Sequence, residues 1–285
     1  MLNRLWAAIC FLGACHLVQA MQTEDMESIT GSDGTYLYMC QQAVKDPFYF
    51  QNFRSLPEYT HAVEIFNGAE FAQYIKKASG RLSPYLDKMR ELDTIGNPIK
   101  YQYDEIGPFS ATTMRYIAVA DHIRQLFELP RCPKIAEIGG GFGGQCYILS
   151  ILNGFSQYFI YDLPIVGMLI EKSLDTLSVP FARCMEPTSE LPVEKIDLLI
   201  SNYAFSECSR ETQLDYFERV IKKADRGYVI YNQISMPFFG IDSLTPREFY
   251  ELLDDAGMNP QVYEELISTH VDNILFVWDR TKNND

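Results

Sequence analysis

The sequence predicts an α/β fold, a three-layer architecture with a Rossmann-like, mostly parallel sheet, preceded by a helical cap. Three observations predict it. Residues 134–138 (Lys-Ile-Ala-Glu-Ile) form a short apolar run that meets a turn holding five glycines in six positions, 139–144, and then a helical stretch. From there to the C-terminus, strand-length apolar runs alternate with helix-length amphipathic ones. The last two β-like runs, 261–267 and 273–278, are linked too closely for a crossover helix, so they are expected to pair as an antiparallel hairpin.

The elements follow in chain order. Residues 1–20 read as a signal-peptide-like leader: Arg4 gives a positive start, residues 5–18 are mostly apolar, and Val18-Gln-Ala20 offers small residues before a cut. As a helix, residues 5–20 reach only about 24 Å, short of a hydrocarbon core of roughly 30 Å, so no stable membrane span is expected. Residues 21–33 are polar. Up to residue 110 short helices are expected, broken by Pro47, Pro57, Pro84 and Pro98, with Phe71, Tyr74 and Ile75 on one buried face. Residues 21–110 are therefore a cap, and 111–285 the domain that carries the glycine turn.

That domain opens on a helix over 111–129, with Met114, Ile117, Ala118, Ile123 and Leu126 inward and Pro130 and Pro133 ending it. Strands are expected at 134–138, 158–161, near 181–185, at 196–201 and at 227–233. Helices are expected at 145–152, 165–177, 211–224 and 246–256, the last with Thr245 as N-cap and Gly257 as its stop.

A formal charge of −14 repels phosphate backbones and predicts no nucleic-acid partner. Eighteen Tyr and eighteen Phe are enough to line a small-molecule pocket as well as a core. Beyond residue 20 the cysteines are Cys40, Cys132, Cys146, Cys184 and Cys208, an odd and irregular set that predicts free thiols. Free thiols favour the cytoplasm, whereas the leader favours export. No spacing suggests a metal site.

The glycine turn predicts a nucleotide-like ligand. Glycines let backbone approach it, N–H groups at the helix start face it, and Asp162, closing the next strand (Tyr158-Phe-Ile-Tyr), is placed to accept its ribose hydroxyls. Gly139, Gly141 and Gly144 fit the dinucleotide spacing, which implies a nicotinamide-dependent oxidoreductase. Gly139, Gly141 and Gly143, with Glu137 two residues ahead, equally fit E-x-G-x-G-x-G, the first motif of S-adenosylmethionine-dependent methyltransferases. The closing hairpin, and the roughly 130 residues ahead of the glycine turn, favour the second.

With those features together, residues 134–285 resemble a class I S-adenosylmethionine-dependent methyltransferase. Further blocks, 106–117 (Ile-Gly-Pro-Phe-Ser-Ala-Thr-Thr-Met-Arg-Tyr-Ile), Tyr161-Asp-Leu-Pro164, Ser201-Asn-Tyr-Ala-Phe-Ser-Glu207 and Tyr231-Asn-Gln233, make the chain similar to the sugar O-methyltransferase family. The resemblance implies a seven-stranded sheet with its last strand antiparallel, S-adenosylmethionine as cofactor, and a small-molecule or glycan acceptor. It implies cofactor contacts from Glu137, Gly139, Gly141, Gly143, Asp162, Leu163, Met185 and Asn202. Arg115, Tyr116, Tyr203 and His61 are the expected acceptor contacts, Arg115 being able to clamp a carboxylate. A sugar hydroxyl needs a proton acceptor; His270, ahead of the final strand, and Glu207 are the candidates, with Asp104 and Glu105 as alternatives. A non-catalytic exported binding protein of the same fold is the remaining alternative.

Overall fold

The computed structural model describes residues 28–270 and 272–283; the expected leader, 1–20, lies outside the described residues. Seven strands form one sheet: β3 (Lys134–Ile138), β4 (Gln157–Tyr161), β5 (Ala182–Met185), β6 (Leu198–Asn202), β7 (Arg226–Tyr231), β8 (Gln261–Glu264) and β9 (Ile274–Asp279). Its order is β5-β4-β3-β6-β7-β9-β8. Strands β3 to β7 pair in parallel, while β9 runs antiparallel to both β7 and β8. This is a Rossmann-like sheet with its last strand reversed. The chain leaves β3 towards β4 and β5, then returns to β6 on the other side. That reversal opens a crevice above the C-terminal ends of β3 and β6, where open α/β sheets bind ligands.

Successive residues of a strand point to opposite faces, so one strand feeds two cores. On β4, Tyr158 and Ile160 enter one core, Phe159 and Tyr161 the other. The first face carries α1 (Gly34–Lys45), α2 (Pro57–Val63), α3 (Ala69–Lys77), α4 (Ala111–Leu126), α5 (Gly144–Leu152) and α6 (Pro164–Thr176). The second carries α7 (Arg210–Arg219) and α8 (Pro246–Asp255). The cap is continuous with the first core, with α1 packed on α6 and α3 on α4.

Local chemistry sets the helix ends. Asp33 caps α1 by accepting from the Thr35 and Tyr36 amides, Pro57 occupies the first turn of α2, and Ser110 caps α4. Thr245 and Glu248 form a reciprocal capping box on α8.

Four expectations are corrected. Residues 101–109, read as part of the broken-helix region, contain a hairpin of β1 (Tyr101–Tyr103) and β2 (Gly107–Phe109), turned by Asp104-Glu105 with Glu105 at φ +67°. The helix expected to reach residue 129 stops at Leu126, where Phe127 is already extended. It is buried almost all round from Ala111 to Asp121, because α3 covers one side and α5 another. The helix expected over 211–224 breaks at Val220 and resumes as a 3₁₀ turn, Ile221–Lys223.

Candidate active site

The crevice above β3 and β6 holds a cavity of about 110 Å³. Nine expected site residues line it together: Arg115, Tyr116, Glu137, Gly139, Gly141, Asp162, Asn202, Tyr203 and Glu207. Sheet register brings them together. Glu137 of β3 lies opposite Ile160 of β4 and Ile200 of β6, so the three strands end at one level.

Gly139 and Gly141 have φ of +80° and +61°, a region that side chains disfavour. A Cβ on Gly139 would also lie 2.0 Å from that of Ala204. The turn they make folds back on Asp162. One oxygen of that carboxylate accepts from the Gly140 and Gly141 amides at 2.8 and 3.2 Å, and the other accepts from the Leu163 amide at 2.8 Å. Burial pushes the Asp162 carboxyl up to about 6, and the three amide donors oppose that rise. The acid expected to meet a ribose thus also fastens the glycine turn.

Glu137 points into the cavity and accepts from the Tyr158 hydroxyl at 2.8 Å. Burial pushes its carboxyl up to about 8. Glu207, in the turn after β6, accepts from Asn232 Nδ2 at 2.7 Å, and burial holds it above the usual carboxylate range. Arg115 is buried, its guanidinium carbon 5.1 Å from the Tyr116 ring centre and 5.2 Å from that of Tyr203. Among the described residues it has no carboxylate at ion-pair distance, and its Nε has no hydrogen-bond partner. Asn202 Oδ1 is likewise buried and unpartnered. Buried polar groups of this kind are costly unless something pairs with them.

Tyr203 has φ +75°, strained for a residue with a side chain. Its hydroxyl donates to Glu265 and shares a 2.9 Å hydrogen bond with Thr269 Oγ1. Burial pushes the phenol up to about 12.

Five expected residues do not line this cavity. Gly143 faces Leu174, where an added Cβ would come within 2.9 Å. Leu163 packs against the first core, and the Met185 carbonyl accepts from the Asp162 amide at 3.2 Å. His61 is directed outward, bonded to Asp33 at 2.5 Å and to the Pro57 carbonyl at 2.8 Å. His270 lies in the exposed loop between β8 and β9. Of the alternative bases, Glu105 pairs with Lys76 at 2.6 Å on the surface hairpin.

Sequence reasoning missed the cap's contribution. Thr30, Tyr36, Ala62 and Val63 complete the cavity wall, and nothing in a helical pattern says which sheet edge a cap covers. It also missed Glu265, whose signal was an acid inside a run read as strand.

The lining carries three carboxylates, Glu137, Asp162 and Glu207, against one guanidinium. That set suits a ligand with a carboxylate for Arg115 and positive charge for the acids. A pyrophosphate would meet repulsion from Asp162, which burial raises only to about 6. A methionyl group with a sulfonium beside its ammonium and carboxylate has the complementary charges, and the unpartnered Arg115 Nε and Asn202 Oδ1 give it a donor and an acceptor. Among the described residues no group of three or more His, Cys, Asp or Glu is placed to hold a metal ion.

No protein-family model matches the chain, and no curated protein matches its sequence. Solved structures similar to it include S-adenosylmethionine-dependent methyltransferases. One from Aquifex aeolicus is 16% identical, with a TM-score of 0.43 over 56% of this chain and 87% of that one. Geranyl diphosphate C-methyltransferase from Streptomyces coelicolor is 13% identical, with a TM-score of 0.45 over 57% of this chain and 78% of that one. An O-methyltransferase from neocarzinostatin biosynthesis is 14% identical, with a TM-score of 0.42 over 59% and 58% respectively.

Proposed function

We propose that this protein transfers the methyl group of S-adenosylmethionine to a hydroxyl, and that the acceptor is a sugar or glycan. The observation that carries the reading is the cavity's charge: three acids, Glu137 buried and the other two half-buried, and one arginine without a carboxylate partner at a glycine turn. The sugar acceptor is supported by the sequence blocks at 106–117, 201–207 and 231–233.

When bound, S-adenosylmethionine supplies a methyl group activated by its sulfonium. Arg115 presents N–H donors to the cofactor carboxylate through its planar fork. Asp162 offsets the positive charge, and Glu137 does so once it loses its proton. Glu207 takes the acceptor proton. Burial raises its basicity towards the operating pH, and Asn232 holds one oxygen, leaving the other for the hydroxyl. Tyr203, fixed by Glu265 and Thr269, borders the cavity and restricts how the acceptor enters it.

Calorimetry with S-adenosylmethionine and with NAD tests the cofactor. The former is expected to bind with proton release near pH 7, because its charge pulls the proton from Glu137, whose carboxyl burial raises to about 8; NAD is expected not to bind. Tight NAD binding with none of the methyl donor would end the proposal. With a labelled donor and a sugar panel read by mass spectrometry, Glu207→Gln should slow turnover about 10²–10⁴-fold with cofactor affinity little changed. Full activity in that variant would remove Glu207 as the base.

A further inference from the structure

A second cleft, of about 330 Å³, lies between the segment joining α2 to α3 and the loop joining β8 to β9. Its size falls within the roughly 300–1,000 Å³ of small-molecule sites, and the cavity at the glycine turn falls below it. We propose that this cleft binds the methyl acceptor, as an uncharged hydroxylated ring stacked on Phe66. The inference rests on the methyl-transfer reading for its role, though the binding itself does not.

Position is the first ground. Thr269 lines the cleft and bonds the Tyr203 hydroxyl at 2.9 Å, while Tyr203 lines the first cavity. Val63 lines the cavity and Ile65 the cleft, so the same stretch of chain borders both. The two spaces therefore lie on either side of the hydrogen-bonded Tyr203–Thr269 pair.

Composition is the second. Phe66 is 54% exposed, an aromatic face open to solvent beside Asn67, Glu70, Ser268 and Thr269. Aromatic faces receive the C–H side of a ring, while amides and hydroxyls bond its periphery. No Lys or Arg lines the cleft and Glu70 does, which disfavours an anionic acceptor.

The third ground is that the wall is built. Glu265 is buried and accepts from the Thr269 amide at 2.9 Å, from Asn273 Nδ2 at 2.8 Å and from Tyr203. These bonds hold the β8–β9 loop against Tyr203, and they maintain the strained Tyr203 backbone at the junction.

The test is NMR-detected titration of the full chain with the methyl glycosides of glucose, rhamnose and N-acetylglucosamine, and with glucuronate, with and without S-adenosylhomocysteine. At least one glycoside is expected to bind, and to bind more tightly than glucuronate. Phe66→Ala should weaken it about tenfold and Phe66→Trp restore it, with S-adenosylhomocysteine affinity within twofold throughout. Binding of none, preference for glucuronate, indifference to Phe66→Ala, or displacement of the glycoside by S-adenosylhomocysteine would each overturn the proposal. Glycoside binding that depends on Phe66, in a protein that ignores S-adenosylhomocysteine, would keep the cleft and remove the methyl-transfer reading instead.

Discussion

Glu137, next to last in β3, has its carboxyl in the cavity and the Tyr158 phenol as hydrogen-bond donor. Burial, which raises it to about 8 from its ordinary 4.5, makes its charge a cost to the folded chain. The sign follows from proton binding. Below about pH 4.5 both states are protonated and nothing is lost. As pH rises the unfolded chain ionises first, so stability falls until the folded group also ionises near 8. The thermal midpoint of the wild type relative to Glu137→Gln should therefore drop between pH 5 and 8.5. A constant difference over that range would show that Glu137 is not the titrating group. The motif E-x-G-x-G-x-G made this acid visible in the sequence; its state of charge was not visible, because that depends on how much protein covers it.

At the scale of elements, one buried arginine joins the cap to the glycine turn. Arg54, in the middle of a 3₁₀ turn in the cap, bonds Glu64 after α2 at 2.5 Å and Asp93 at 3.4 Å. Its guanidinium carbon lies 4.2 Å from the ring centre of Phe142, within the glycine turn. Asp93 also accepts from the Ser110 amide at 2.6 Å and the Thr113 hydroxyl at 2.7 Å, which fixes the start of α4. Removing one member of such a set leaves the others charged and buried. Arg54→Met should cost about 3–5 kcal/mol in urea unfolding; a loss below about 1 kcal/mol would mean that the network does not join these elements. None of this was legible beforehand. Arg54, Glu64 and Asp93 sit in a stretch whose prolines announced only broken helices, and an ion pair between distant residues has no local signature.

Across the whole molecule, the cap covers the crevice that the sheet creates. Thr30, Tyr36, Ala62 and Val63 form its outer wall, and a Cβ on Gly141 would already be 3.5 Å from Val63 Cγ1. Ser28 forms an isolated β-bridge with Cys208, the residue after Glu207. A cavity of about 110 Å³ is below the usual range of small-molecule sites, so an adenosyl ligand is expected to shift that wall. Hydrogen exchange in residues 28–36 and 57–66 should change when S-adenosylhomocysteine is added, while α8, on the opposite face, stays the same. Equal exchange in the cap with and without ligand would show that entry needs no such movement.

The order of strands and helices after residue 134, the reversed last strand and the acids that end β3 and β4 were all readable from the chain, because hydrophobic period, turn chemistry and motif spacing are local properties. Gly143, Leu163, Met185, His61 and His270 matched that local logic equally well, yet only folding decided that they sit outside the first cavity while Tyr36 and Val63 line it. The separation has a physical cause. A few neighbours set a residue's backbone conformation, whereas its exposure, charge state and partners come from segments far away in sequence that pack against it.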